Sequence, residues 1–201
     1  MPEYTFSKLS ISNYKEKGSS FYAVAHPATS INDVKNKLST IKEEYPDASH
    51  ICYAYRIIMG SHLDEFASDS GEPKGSSGQS ILNVLKRQKL INSVLFVIRY
   101  YGGSKLGIPG LIYAYGITAK IAIENANLIK WQKKKRVLVT YPYKLEGIMK
   151  SILRKNQADV ILEDFNEKID IQLKIDVDFF DQFIDSINEL SSGSVQVIVK
   201  E

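Results

Sequence analysis

The sequence of 201 residues predicts an α+β protein of two domains. In the last third of the chain, strand-like and helix-like segments follow the order β-α-β-β-α-β, which is the ferredoxin-like order. A basic run at 130–136 precedes this segment, and the charge differs on its two sides. Residues 1–136 carry 19 basic and 11 acidic side chains, whereas residues 137–201 carry 7 and 12. We therefore predict domains 1–132 and 133–201, and an anionic partner for the basic first domain.

The first domain is predicted to mix strands with helices. Ser30 and Asp33 form a capping-box pattern before the first helix, and Pro46 ends that helix. Continuous apolar character at 94–101 predicts a strand that is buried on both faces. The predicted strands are 4–14, 21–25, 50–58 and 94–101, and the other predicted helices are 80–90 and 111–127.

In the second domain, apolar spacing predicts four strands and two helices. The aromatic stripe of the second helix, with Phe179, Phe180 and Phe183, is attributed to core packing rather than to a binding groove. The predicted strands are 137–141, 158–164, 168–177 and 194–200, and the predicted helices are 145–156 and 178–190.

Residues 59–80 lack a periodic apolar face and contain four glycines, so they are predicted to form one long loop. The part from Gly71 to Gly78 leads into a helix, where backbone N–H groups and serine hydroxyls are suited to hold an anion. Turn glycines followed by a serine N-cap explain the same residues without a ligand. The glycine spacing fits neither a P-loop nor a dinucleotide fingerprint.

A second glycine-rich loop, residues 102–110, follows the buried strand. Arg99, two tyrosines and Lys105 surround it, and arginine beside aromatic rings is typical of sites that bind phosphate together with a base or a peptide. The alternative is a Gly-Gly bend in which a buried carboxylate, Asp69 or Glu72, holds Arg99. The residue types alone favour neither interpretation.

Other chemistry-bearing residues each have a structural explanation. His50, Cys52 and His62 form at most a partial zinc site, and a packed strand end is the preferred interpretation. Cys52 could act as a nucleophile only with His50 as its base. The acidic residues between 64 and 72 are suited to metal or acid–base chemistry, but a solvated loop is the default interpretation. The basic run around Trp131 is either an RNA contact or a solvated linker.

The N-terminus and the cysteine content predict a cytoplasmic protein. Residues 1–8 have neither the apolar core nor the cleavage site of a signal peptide. The longest apolar run, 94–98, is far shorter than the roughly 20 residues that span a bilayer, so no membrane association is expected. The single Cys52 excludes an internal disulfide and a multi-cysteine zinc knuckle.

Taken together, the two glycine loops and their neighbours resemble the signature of the YigZ/IMPACT family. The order and spacing of the matching segments hold over nearly the whole chain. Ser70, Lys74 and residues 108–109 depart mildly from the family pattern. The segments that carry the resemblance are SDSGEPKGSSG (68–78), VIRYYGGSKLG (97–107) and GLIYAY (110–115), with KGSSF (17–21) and HICYAY (50–55).

The resemblance implies an N-terminal domain of the ribosomal protein S5 domain 2-like type, an α/β sandwich. It also implies a C-terminal ferredoxin-like domain similar to one in translation elongation factor G. Eukaryotic relatives are tied to translational control through a kinase-activating partner. Carried over onto this sequence, the family motif marks these binding residues: His50, Asp69, Gly71, Glu72, Pro73, Gly75, Ser76, Gly78, Arg99, Tyr100, Tyr101, Gly102, Gly103, Lys105 and Gly107.

We expect a non-enzymatic regulator of translation that binds RNA, the ribosome or a translation-linked protein partner. The alternative is an enzyme or small-ligand-binding protein that acts on an anionic, phosphate-containing substrate between the two glycine loops. That alternative requires His50, Asp69, Glu72 and Arg99 to face one pocket within about 4–6 Å of one another. A third hypothesis is a protein partner docked on the loop 59–80. No cofactor or metal is predicted, and the oligomeric state is left open.

Overall fold

A computed structural model describes residues 3–191 and 193–200. The chain divides into two compact units, residues 1–131 and 132–201. Each unit combines its own sheets, helices and hydrophobic core, so the predicted α+β class is confirmed. Among the helices in the described part of the chain, none combines the length and the apolar character that crossing a bilayer requires.

Helices cover both faces of the main sheet in the first unit. Its elements are β1 (Tyr4–Phe6), β2 (Ser10–Glu16), β3 (Ser19–Pro27), α1 (Ile31–Glu44), β4 (His50–Met59), β5 (His62–Ser68), α2 (Gly78–Arg87), β6 (Ser93–Tyr100), α3 (Gly107–Glu124) and β7 (Leu128–Lys130). An antiparallel sheet has the strand order β2-β3-β6-β4-β5, and β1 pairs with β7 separately. Helix α1 packs on one face, and α2 and α3 pack on the other. This is the α/β sandwich that the resemblance implied.

Alternation along the central strand β6 builds a core on each face of this sheet. Leu95 and Val97 pack beneath α2 and α3, whereas Phe96 packs towards α1. The same alternation places Arg99 on the α2–α3 side and Tyr100 on the α1 side. Arg99 and Tyr100, although adjacent in sequence, therefore lie on opposite faces of the sheet.

The predicted start of α1 is confirmed, because the Ser30 hydroxyl accepts a hydrogen bond of 3.1 Å from the Asp33 N–H. Helices α2 and α3 begin earlier than predicted, at Gly78 and Gly107. Glycine is a weak helix former, so the apolar periodicity that marks a helix starts only after it.

The structure corrects the prediction of one long loop over 59–80. Residues His62–Ser68 form the edge strand β5, which pairs with β4. Its apolar alternation is weak because edge strands tolerate charged side chains, and Arg56 Nε donates a hydrogen bond of 2.8 Å to Glu65 across the pair. Only residues 69–77 remain a loop between β5 and α2.

The second unit has the ferredoxin-like topology that the sequence predicts. The strands pair antiparallel, and the two helices share one core with the sheet, in which Val139, Ile171 and Phe183 are fully buried. Phe180 also packs in this core, as predicted for the aromatic stripe. The elements are β8 (Lys134–Tyr141), α4 (Glu146–Lys155), β9 (Asp159–Phe165), β10 (Ile169–Asp176), α5 (Val177–Ser191) and β11 (Gln196–Lys200), and the strand order is β11-β8-β10-β9.

Most of the basic run lies inside the second unit. Lys134, Lys135 and Arg136 are the first residues of β8, so the interpretation of the run as a solvated linker holds at most for residues 131–133. With the boundary after residue 131, the first unit carries 15 basic and 11 acidic side chains, and the second carries 11 and 12. The net charges are +4 and −1, so the charge contrast between the two units is much smaller than predicted.

Candidate functional site

A buried ion pair lies where the two glycine loops approach the sheet. The strand register places His50, at the start of β4, opposite Arg99, near the end of β6. Arg99 Nη1 donates a hydrogen bond of 2.7 Å to Glu72 Oε1, and their side chains are only 6% and 3% exposed. The Nε2 atom of His50 lies 4.0 Å from the same carboxylate oxygen. Glu72 is therefore the buried carboxylate that holds Arg99, and His50 joins the same cluster.

Tyr115, on α3, completes the surroundings of Glu72. Its hydroxyl donates a hydrogen bond of 2.8 Å to Glu72 Oε1. Burial raises the pKa of Tyr115, and Cys52 and Glu72 beside it raise that pKa further, so the phenol stays protonated. Glu72 thus connects its loop to the sheet and to α3 at once.

Protein groups satisfy the Arg99 guanidinium only in part. Its Nη2 lies 3.4 Å from the Ser19 hydroxyl, and its central carbon lies 5.6 Å and 5.4 Å from the ring centres of Phe21 and Tyr101. Its Nε is buried and has no hydrogen-bond partner among residues 3–191 and 193–200. The Nε–H of Arg99 is therefore a buried donor that no described protein group uses.

Asp69 fills the predicted anion nest of the first glycine loop. Its carboxylate accepts hydrogen bonds from the N–H groups of Gly75 (2.7 Å), Ser77 (3.1 Å) and Gly78 (2.9 Å), and from the Ser77 hydroxyl (2.8 Å). Burial acts to raise the pKa of Asp69, but these hydrogen bonds outweigh it and lower the pKa below its ordinary value. The loop binds an internal carboxylate, and the Ser77 side chain serves Asp69 instead of capping α2.

The other glycine-loop residues shape the first loop. Gly71 has a positive φ of 89°, and a Cβ there would lie 3.3 Å from the His50 ring. A Cβ on Gly78 would lie 2.7 Å from the Ser68 backbone. The Ser76 hydroxyl donates a hydrogen bond of 2.6 Å to the Pro73 carbonyl. These contacts agree with the turn-glycine interpretation of the loop.

The second loop is held by a contact between two backbones. A Cβ on Gly102 would lie 1.9 Å from the Gly18 carbonyl carbon, so only glycine allows this approach. The Gly102 N–H donates a hydrogen bond of 3.2 Å to the Ser19 hydroxyl, and the Tyr101 hydroxyl donates one of 2.7 Å to the Gly103 carbonyl. These residues set the course of the loop.

An open cleft of about 250 Å³ lies beside the ion pair. Lys105 is exposed at this cleft and forms no ion pair within the described residues. The cleft also borders the first turn of α3, where free N–H groups carry partial positive charge. This arrangement presents a cation, hydrogen-bond donors and an aromatic ring to an anion. The predicted residues that line the cleft are Glu72, Pro73, Arg99, Tyr101, Lys105 and Gly107.

Other predicted residues lie away from the cleft. Tyr100 is on the opposite face of the sheet, where its ring packs edge-on against Tyr22 with 5.9 Å between centres. His62 pairs with Met59 at the far end of β4, roughly 30 Å from His50 at about 3.3 Å per residue, so the two histidines cannot share a metal. In the chain as described, no group of three or more His, Cys, Asp or Glu side chains is placed to hold a metal ion.

The cluster holds no activated cysteine nucleophile. Cys52 is fully buried, and its thiol donates a hydrogen bond of 2.9 Å to the Asp69 carbonyl. Burial raises the pKa of the Cys52 thiol to about 11. The Nδ1 atom of His50 lies 3.0 Å from the Ser70 carbonyl oxygen, which can only accept, so Nδ1 carries the proton. The arrangement favours binding over covalent catalysis by Cys52.

Sequence reasoning missed the side chains that complete the site. Tyr115 had a usable signal, since it is a polar-tipped residue in a helix of small and apolar residues, where its hydroxyl needs a buried partner. Ser19 lies within the matching segment 17–21, which was not assigned a site role. The apolar cleft residues gave no signal for a site, because Leu106 and Ile108 were assigned to the glycine-rich loop and Leu111 to the start of the predicted helix.

Two family models match this chain. The Impact N-terminal domain matches residues 17–123, and a domain of unknown function, DUF1949, matches residues 139–194. The chain belongs to the IMPACT family. An IMPACT family member of Haemophilus influenzae is 29% identical over 208 residues, which cover 100% of this chain and 98% of that relative.

Two further comparisons support membership in the IMPACT family and the fold. An IMPACT family member of Thermus thermophilus is 37% identical over 144 residues, which cover 70% of this chain and 75% of the relative. The crystal structure of a hypothetical protein matches with a TM-score of 0.71 and 22% identity, and the match covers 100% of this chain and 98% of the other. That structure shares the fold of this IMPACT family member.

Proposed function

We propose that this IMPACT family protein is a non-catalytic regulator of translation that binds phosphate groups of RNA, free or within the ribosome. The observation that carries the proposal is the open cleft where Lys105, Tyr101 and the first turn of α3 come together beside Arg99. The translational role rests on family membership, because the sequence resemblance links eukaryotic relatives to translational control. The proposal places the protein in the cytoplasm, where translation takes place.

The cleft offers a nucleotide three kinds of favourable contact, two for its phosphate and one for its base. Lys105 supplies an exposed positive charge, and the free N–H groups of Gly107 and Ile108 lie at the positive end of the α3 dipole. The Tyr101 ring is 49% exposed and offers a surface on which a base can stack. Arg99 is already paired with Glu72, so the attraction depends mainly on Lys105 and the helix terminus.

The non-catalytic part of the proposal rests on groups that are already engaged. The Asp69 carboxylate accepts hydrogen bonds from its own loop, and the Glu72 carboxylate accepts them from Arg99 and Tyr115. The Cys52 thiol is buried. The groups left exposed at the cleft are suited to binding.

Binding of a fluorescent oligouridine RNA and co-sedimentation with ribosomes test the proposal on the full chain. Lys105→Ala should weaken binding and reduce the slope of log K against log salt by about 0.7, the loss of one phosphate contact on a single strand. Lys35→Ala removes the same charge from the exposed side of α1, across the sheet, and should leave affinity and slope unchanged. Absence of binding even at low salt, or equal losses in both variants, would refute the proposal.

A second candidate is a small anionic ligand in the same cleft. The volume of about 250 Å³ is below the range of about 300–1,000 Å³ for pockets that enclose larger ligands, which favours a single phosphate-bearing group. Calorimetric titration with inorganic phosphate and with nucleoside monophosphates distinguishes the candidates. Lys105-dependent binding of these ligands without RNA binding would establish the second candidate in place of the first.

A further inference from the structure

A second open concavity lies on the outer side of the helix pair α2 and α3. This groove has a volume of about 410 Å³, and one wall comes from each helix. Its lining includes the apolar side chains of Val84 on α2 and of Ile112 and Ile117 on α3, together with the polar residues Ser80, Asn83 and Gln88. It shares no lining residue with the cleft at Lys105.

Gly116 forms part of this groove and has no role that the fold explains. It lies inside α3, yet a Cβ at this position would meet no atom within 4 Å. Gly78 and Gly102 differ, because a side chain at either position would collide with a backbone. Glycine inside a helix destabilises the helix relative to alanine. The space above Gly116 is therefore empty in this fold at some cost to helix stability.

Large apolar side chains are exposed beside this space. Ile112 is 44% exposed and Tyr113 is 59% exposed, and both line the groove. The Tyr113 ring packs edge-on against Tyr14, with 6.4 Å between centres, which restrains its position. A restrained apolar surface around an open glycine is typical of a groove that receives side chains from a partner.

The charged side chains that line the groove, Arg87 and Lys120, are both basic. Arg87, in the last turn of α2, forms no ion pair within the described residues, and none of the lining residues is acidic. Lys120 pairs with Glu124 at 3.5 Å, but both side chains are more than half exposed, so this pair is weak. Two cations on opposite walls are thus placed to attract carboxylates.

We propose that this groove binds an amphipathic helix of a partner protein that carries acidic residues along its apolar stripe. The apolar side chains of that helix would enter the space above Gly116, and its carboxylates would meet Arg87 and Lys120. Helix α2, with 10 residues, is about 15 Å long, so the groove accommodates about three turns of a bound helix. Val84, Ile112 and Ile117 offer apolar surface that an apolar helix stripe can bury and a phosphate backbone cannot, which favours a protein over RNA here.

A synthetic helical peptide tests the proposal on the full chain. The probe is a fluorescent peptide of about 18 residues, roughly five turns, with a leucine stripe flanked by glutamates. Gly116→Leu should weaken its binding at least about tenfold by filling the groove, while thermal stability stays equal or rises. Arg87→Glu should weaken binding by a similar factor and allow binding of a second peptide in which lysines replace the glutamates. Lys35→Glu, on α1, is the matched charge control and should have no effect.

The outcomes separate this surface from the cleft. Lys105→Ala should leave peptide binding unchanged, so failure of the RNA proposal does not affect this test. Equal affinity of wild type for the glutamate and lysine peptides would overturn the proposal, as would unchanged binding in Gly116→Leu. Displacement of the peptide by oligouridine RNA in an Arg87-dependent manner would overturn it in favour of a nucleic-acid surface.

Discussion

Removal of the Arg99 guanidinium should destabilise the first unit far more than removal of an exposed cation. Arg99→Met keeps much of the aliphatic volume but leaves the Glu72 carboxylate buried, with the Tyr115 hydroxyl as its main remaining donor. Breaking a buried ion pair on one side costs about 3–5 kcal/mol, because the remaining charge stays away from water.

The double variant Arg99→Met/Glu72→Gln should recover about 2 kcal/mol of that loss. Glutamine removes the uncompensated charge and still accepts a hydrogen bond from Tyr115. Urea unfolding followed by fluorescence measures these differences, because Trp131 is the only tryptophan of the chain. Its backbone N–H donates a hydrogen bond of 2.8 Å to the Glu3 carbonyl within the first unit.

Lys37→Met provides the control for the Arg99 prediction. Lys37 pairs with Asp33 on α1, but these side chains are 24% and 32% exposed. The loss should therefore stay below about 1 kcal/mol. The reasoning fails if Arg99→Met is no more destabilising than Lys37→Met, or if the double variant is no more stable than Arg99→Met alone.

Two further predictions concern the glycine loops. Asp69→Asn should destabilise the protein at neutral pH and much less in acid, because the pKa of Asp69 is lowered on folding. The contribution of the Asp69 carboxylate to the free energy of unfolding is fully present above the pKa of the unfolded state, about 3.9. It is lost as the pH falls through the lower pKa that Asp69 has in the folded protein. Urea unfolding of wild type and Asp69→Asn between neutral and acidic pH checks this prediction. A difference in the free energy of unfolding that does not change with pH would contradict it. Gly102→Ala should cost more than about 1 kcal/mol because its Cβ would meet Gly18, whereas Gly147→Ala, at an open position in α4, should stabilise by about 1 kcal/mol. Equal shifts in the thermal unfolding temperature of Gly102→Ala and Gly147→Ala would contradict the role of the contact between Gly102 and Gly18.

The sequence predicted the second unit well because its signals are local. Strand alternation and helix stripes depend on neighbouring residues only, and they reproduce the order of β8 to β11 with α4 and α5. The edge strand β5 was missed because the partners of Glu65, Arg56 on β4 and Lys86 on α2, are distant in sequence and give no local signal. Part of the basic run was misplaced because charge marks solvent exposure and does not distinguish a linker from the exposed first residues of a strand.

The sequence indicated which residues belong to the candidate site, but it did not indicate which of them contact one another. The two glycine loops and Arg99 were identified from residue types, but Asp69 and Glu72 were equivalent candidates for the partner of Arg99. Their different roles depend on the path of residues 69–77, which turns Asp69 towards its own loop and Glu72 towards the sheet. Tyr115 lies on the buried face of α3, but apolar residues also occur on the exposed face, where Ile112 and Tyr113 lie, so periodicity could not indicate which face meets Glu72.

The carboxylate of Asp69 within its own loop has an entropic consequence for any ligand of the neighbouring cleft. Because Asp69 binds the N–H groups of Gly75, Ser77 and Gly78, the segment is ordered in the free protein. Glu72, in the same segment, is held in place before any ligand arrives. The backbone freedom of this segment is lost during folding rather than during binding. Association at the cleft should therefore have a small heat-capacity change, unlike binding that is coupled to loop folding.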